Sequence, residues 1–230
     1  MDAHEPVTRQ KQPVPRPVLV WDVPVRLFHW LVVVLVAAAY VTEKLNRIDW
    51  HVWIGEALLA LVVARLLWGC FGSETARFRR FVASPAAALR HLRGLFRREP
   101  DVQVGHNPAG GWMVLLLLAL LLAETLSGLY VNNDIADQGP LSQLVPAWLA
   151  NAISALHGLV WYVLLAAVAL HVLVIALYAV AKGHHLLRPM LTGYKRLPSS
   201  IDAPRQAPAL RALLALGIGA AVTLLLSAYL

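Results

Sequence analysis

Two histidines interrupt the apolar run ALHGLVWYVLLAAVALHVLVIAL at residues 155–177, and His157 and His171 are its only side chains that titrate near neutral pH. An imidazole in hydrocarbon must find partners for its nitrogens or leave one unsatisfied, at a cost of roughly 1 to several kcal/mol. The chemistry open to it is metal ligation, proton relay or an interhelical hydrogen bond. On an α-helix the 14 residues between the two rise about 21 Å and end about 40° short of whole turns. Both rings therefore project from nearly one face, toward opposite sides of a hydrocarbon slab about 30 Å thick. They are too far apart to share one small site, so each needs its own partner. His29 and His51 lie in or at the head of other apolar segments and are the candidates.

The elements that must position these rings are membrane helices. Of 230 residues, 59% are apolar and only 14% charged, with a mean hydropathy of +0.62. An ordinary soluble domain carries about 25% charged residues. Five runs are long enough to cross a bilayer, at about Pro24–Thr42, Val52–Gly72, Trp112–Val131, Ile153–Ala181 and Ala209–Leu230. The N-terminal MDAHEPVTRQKQPVPRPVLVWD has neither the apolar core nor the cleavage site of a signal peptide, so the first helix is expected to stay in the mature protein. Residues 1–22 read as a cytoplasmic tail and 23–197 as a four-helix unit. Proline-rich 198–208 then reads as a linker to an additional helix at 209–230.

The net charge of +7 could suggest nucleic acid, but its distribution assigns topology instead. Residues 73–108 carry Arg77, Arg79, Arg80, Arg90, Arg93, Arg97 and Arg98, and the segment after Ala181 adds Lys182, Arg188, Lys195, Arg196 and Arg205. Residues 132–152 have Asp134 and Asp137 and no Lys or Arg. The positive-inside rule puts the N-terminus, 73–108 and 182–208 in the cytoplasm, 43–51 and 132–152 outside, and the C-terminus on the periplasmic side. His29 then shares a depth with His171 near the cytoplasmic face, and His51 with His157 near the outer face. Two facing imidazoles at each level are what bis-histidine haem ligation requires. Zinc is disfavoured, because two histidines without a cysteine or carboxylate at the same level leave its coordination short. Cys70 is the only cysteine, so no CxxCH attachment motif exists and any haem is held noncovalently. Gly55, Gly158, Gly110, Gly111 and Gly128 could let a porphyrin approach the backbone, or could serve helix packing.

At WDVPVRLFHW (21–30), WHVWIGEALLALVVARLLWG (50–69), GHNPAGGWMV (105–114) and the His157/His171 helix, the chain resembles the bacterial cytochrome b561 family, which includes the b-type cytochrome subunit of nickel-iron hydrogenases. The resemblance covers about residues 18–197. It implies an all-α, polytopic bundle in the bacterial cytoplasmic membrane with two b-type haems ligated by His29, His51, His157 and His171. It further implies electron transfer between a quinone and a redox partner, either a c-type cytochrome or a hydrogenase or dehydrogenase subunit, within a respiratory chain. The fifth helix lies outside the family pattern. One alternative is a haem-carrying anchor subunit without activity of its own, and another is a haem-free transporter using the histidines as proton or metal groups.

Other ionisable groups are ranked around this frame. Arg26, three residues before His29, suits a haem propionate or a snorkelling role. Arg65, deep in the second helix, suits a propionate, a quinone site or the headgroups. His106 in GHNP could line a quinone pocket, bond a propionate or make a turn. Glu124 and Glu56 could handle protons in quinone chemistry or bond to neighbouring helices. His91, His184 and His185 are expected to be solvated, Cys70 to be a small packed residue, and Asp134, Asp137 and Trp148 to offer a docking surface to a basic partner.

Overall fold

The computed structural model describes residues 14–94, 97, 100–132 and 139–228. Strand β1 (Pro15–Leu19) leads into helix α1 (Val23–Lys44), whose N-terminus is fixed by Asp22 accepting from the Val25 amide at 2.7 Å. A tight turn with Asn46 at φ 53° reverses the chain into α2 (Ile48–Phe71). A single 3₁₀ turn (Glu74–Ala76) and the short helices α3 (Phe78–Phe81) and α4 (Pro85–Arg93) follow. Asn107 caps α5 (Pro108–Gly128) through the Gly110 amide, with Pro108 at the first helical position. The long α6 (Ala147–Leu177) ends in a π-helical turn, Tyr178–Lys182, closed by Gly183 at φ 70°. Helix α7 (Leu187–Thr192), strand β2 (Tyr194–Pro198) and α8 (Ala209–Ser227) complete the order.

Among the described residues five helices are long and apolar enough to cross a membrane: Val23–Lys44, Ile48–Phe71, Pro108–Gly128, Ala147–Lys182 and Ala209–Ser227. The fold is thus an all-α polytopic bundle. The second and fourth spans begin several residues earlier than the hydropathy suggested, so His51 sits in the first turn of α2 and His157 in the third turn of α6.

Helix α1 packs along α2 and α6 along α5, while α2 joins the two pairs through α5. Val62, Leu121 and Leu164 make the apolar centre where α2, α5 and α6 meet. Helix α8 lies tightly on α2, where Gly219 comes so close that a Cβ would meet the Ala60 carbonyl at 2.3 Å.

One end of the bundle is capped by an antiparallel sheet that pairs Pro15 with Pro198 and Leu19 with Tyr194. Pro15 and Pro17 argue against a strand in the sequence, but a two-stranded sheet has only edges, where proline is tolerated. Val18, Val20, Trp21, Val25, Trp68, Ala76 and Leu197 form the core beneath it. The proline-rich stretch after β2 lies against the 3₁₀ turn. Arg205 exchanges hydrogen bonds with Glu74 at 2.9 and 3.0 Å, and the Ala207 amide donates to Ser73 Oγ at 2.9 Å.

Candidate functional site

The four histidines meet in two pairs. His29 of α1 faces His171 of α6 at the sheet end, with ring centroids 6.4 Å apart and planes at 53°. His51 of α2 faces His157 of α6 at the far end, also with centroids 6.4 Å apart, and planes at 87°. A metal–imidazole bond is about 2.0 Å and a ring nitrogen sits about 1.1 Å from its centroid, so two imidazoles on opposite sides of one metal have centroids about 6.2 Å apart. Both gaps match that spacing. Among the described residues there is no cluster of three or more His, Cys, Asp or Glu side chains suited to a metal. Two opposed imidazoles fit a metal whose other positions come from a macrocycle.

The hydrogen bonds around the far pair leave Nε2 as the ring atom available to a metal. His51 Nδ1 bonds the Ala39 carbonyl at 2.9 Å. His157 Nδ1 bonds the Glu124 carbonyl at 3.0 Å and lies 3.0 Å from Ser127 Oγ, which itself donates to the same carbonyl. A carbonyl on Nδ1 fixes the tautomer with its proton there and the lone pair on Nε2. The Glu124 carboxyl lies 3.5 Å from His157 Nε2, and its second oxygen is buried without a partner. At the sheet end, His29 Nδ1 is buried with no such bond.

The sheet end instead gathers cationic and donor groups. Arg65 is 4% exposed; among the described residues its guanidinium makes a long hydrogen bond of 3.5 Å to the Ala76 carbonyl and lies 5.7 Å from the Phe78 ring centre. Arg26 Nη1 donates to the Leu191 carbonyl at 2.8 Å, while its Nε is buried and unpartnered. His106 is held between Trp21 and Phe81, with centroids at 4.5 and 4.8 Å, and its Nδ1 is also buried and unpartnered. Burial pushes the His106 pKa down to about 3, with Arg65 and His171 adding to the effect, so the ring is neutral. Buried polar groups are normally satisfied. Arg26, His106 and the weakly bonded Arg65 suit the carboxylates of a bound group.

The remaining sequence candidates separate. A Cβ at Gly55 or Gly158 would meet nothing within 4 Å, and at Gly128 it would press on His157 at 3.3 Å. Gly111 instead lets the Phe81 carbonyl approach, and Gly110 sits on its own cap residue Asn107. Glu56 accepts from Ser227 Oγ of α8 at 2.6 Å, so the fifth helix supplies its partner. His91 is not simply solvated: it bonds the buried Tyr178 hydroxyl at 2.6 Å, and Asn107 donates to the same hydroxyl at 3.1 Å. Cys70 is exposed at the end of α2 rather than packed. Asp134 and Asp137 lie outside the described residues, and Trp148 is exposed. Part of the arginine-rich region lines a cleft of about 740 Å³ with Arg77, Arg79, Arg80 and Arg205 facing Glu74 and Asp202.

Sequence reasoning missed Asp22, Trp68 and Tyr178. Asp22, 6% exposed, caps α1 and also accepts from the Trp68 indole at 3.0 Å, tying α1 to α2 directly below the Arg65 region. The one available signal was the Asp-Val-Pro at the head of α1, which has the form of a helix cap.

No curated protein and no solved structure matches the chain. A sequence model of the prokaryotic cytochrome b561 family matches residues 20–193, which include all four paired histidines, and the chain belongs to that family of membrane-bound b-type electron-transfer cytochromes.

Proposed function

We propose that the chain holds two b-type haems, one between His29 and His171 and one between His51 and His157, and carries electrons through the membrane between a quinone and a redox partner protein. The carrying observation is the pair of 6.4 Å ring separations, each matching two imidazoles trans on one metal. When bound, the haems would supply one-electron chemistry, and with a histidine held on each side by this chain they would favour electron transfer over oxygen or substrate activation.

The chain's own residues do the rest. Ala39 and Glu124 carbonyls aim the far-end imidazoles, and open space beside Gly55 and Gly158 leaves room for a flat group. Arg26, Arg65 and His106 receive the carboxylates of the sheet-end group. Neighbouring helices keep water away from the rings, and the rise of α6 between its histidines sets the levels about 21 Å apart. Charge distribution supports a bacterial cytoplasmic membrane orientation with the sheet end cytoplasmic and the far end periplasmic. At the far end the partner is a c-type cytochrome or a hydrogenase or dehydrogenase subunit.

The test is a dithionite-reduced minus oxidised spectrum with a pyridine haemochrome count, followed by quinol oxidation by the purified chain with an artificial acceptor. Two b haems per chain and quinol-dependent reduction are expected. One haem or none overturns the two-site reading. Two haems without quinol reaction would leave the chain as a haem-carrying subunit that works only inside a larger complex.

A further inference from the structure

The two histidine pairs sit in different electrical surroundings, and we propose that the His29/His171 site holds an electron more tightly than the His51/His157 site, so that electrons settle at the sheet end. The inference rests on the two-haem reading above.

The first difference is in the imidazoles themselves. At the far end His51 and His157 each hydrogen-bond a backbone carbonyl through Nδ1. Giving up part of that proton makes the imidazole a stronger donor to iron and favours the oxidised metal. At the sheet end His29 Nδ1 is buried without a partner, so its ring donates less strongly.

The second difference is charge. Arg65 is buried close enough to feel the buried Asp22 carboxylate, Arg26 lies one helical turn from His29, and the two cations outnumber that one anion. In a low-dielectric interior these cations offset the carboxylates of the group they receive, which raises the energy of the oxidised, more positive centre relative to a site without buried cations and so favours reduction. At the far end the cations are exposed and solvent-screened, Arg47 one turn before His51 and Lys44 paired with Glu43, and the Glu124 carboxyl lies 3.5 Å from His157. Ionised, Glu124 favours the oxidised metal; neutral, it adds nothing, so neither state reverses the order.

Helix dipoles are the competing effect. The positive end of α2 lies at His51, but the negative end of α5 lies beside His157, and these partial charges of opposite sign offset. The electron balance is simple: the far-end iron loses one electron, the sheet-end iron gains one, and no proton is required.

The experiment is a potentiometric titration followed by visible absorbance, on the haem-loaded full chain, with haem counted in every sample. Two waves are expected in the unsubstituted chain. The wave surviving in His51→Ala should be the higher, and that surviving in His29→Ala the lower. Arg65→Gln should lower only the upper wave and Arg65→Lys should restore it, whereas a purely structural role for Arg65 would broaden or abolish the wave without that rescue. Ser127→Ala, which keeps both ligands, should shift only the lower wave. A reversed order, a single unresolved wave, or an Arg65→Gln shift confined to the lower wave overturns the inference while leaving two haems in place. Fewer than two haems overturns the underlying reading and this inference with it.

Discussion

At the sheet end, His29 and His171 lie beneath segments drawn from across the chain: β1 with β2, the loop carrying Thr75 and Ala76, and the residues just before α5. At the far end, His51 and His157 are steadied by the carbonyls of neighbouring helices, and Ser154 of α6 bonds the Asn132 backbone just past α5. The same side-chain pair is therefore held in two ways. The sheet end depends on buried polar contacts between distant segments, where losing one partner strands the other. The far end depends on helix backbone that persists while the helices do.

Asp22→Ala presses hardest on this contrast. It removes the α1 cap and orphans the buried Trp68 indole, for an expected loss of about 3 kcal/mol. Thermal unfolding followed by absorbance should show the sheet-end haem released before the far-end one. Simultaneous release would mean that the two ends do not unfold separately.

Gly219→Leu acts on the shared support. Its side chain would collide with the Ala60 carbonyl and separate α8 from α2, costing about 2 kcal/mol in thermal unfolding. Both ends should weaken together, since α8 reaches Phe71 through Arg211 and Glu56 through Ser227.

Tyr178→Phe leaves Asn107 and His91 without their common hydroxyl, with an expected loss of about 1–2 kcal/mol confined to the sheet end. The matching measurement is faster hydrogen exchange at the start of α5 and the end of α6, with the far end unchanged.

The smallest effect is electrostatic. The Arg205 amide, followed by the charges of Arg80 and Arg205, holds the Glu74 carboxyl below its usual range. A depressed acid contributes stability that is present above its unfolded pKa and lost as the pH falls through the folded one. Glu74→Gln should therefore narrow the drop in melting temperature between neutral and strongly acidic pH, and only slightly, because the pair is solvent-screened.

Much of the site was legible because helix geometry is regular. A fixed rise per residue and the asymmetry of arginine and lysine were enough to pair His29 with His171 and His51 with His157 by depth. The cap over the sheet end was not legible. Strands of five residues, one with two prolines and the other ending in one, give no periodic signal, and the close partners Trp68 to Asp22 and Thr75 to Val20 are 46 and 55 residues apart. His91 read as solvated because its place in the arginine loop says nothing of the Tyr178 hydroxyl. Cys70 read as packed because composition does not reveal which side of a helix end faces outward. Gly111 read as a place for a flat ligand or for close packing, and the end of α3 at Phe81 takes that space.

The pairing itself is tested most directly by haem content in the four single His→Ala variants and in the doubles His29→Ala/His171→Ala and His51→Ala/His157→Ala. The account predicts two haems in the unsubstituted chain and one in each single variant. Each double should also keep one haem, with the spectrum of its two parent singles. Loss of both haems on combining His29→Ala with His171→Ala, or a spectrum shared by His29→Ala and His51→Ala instead, would contradict it.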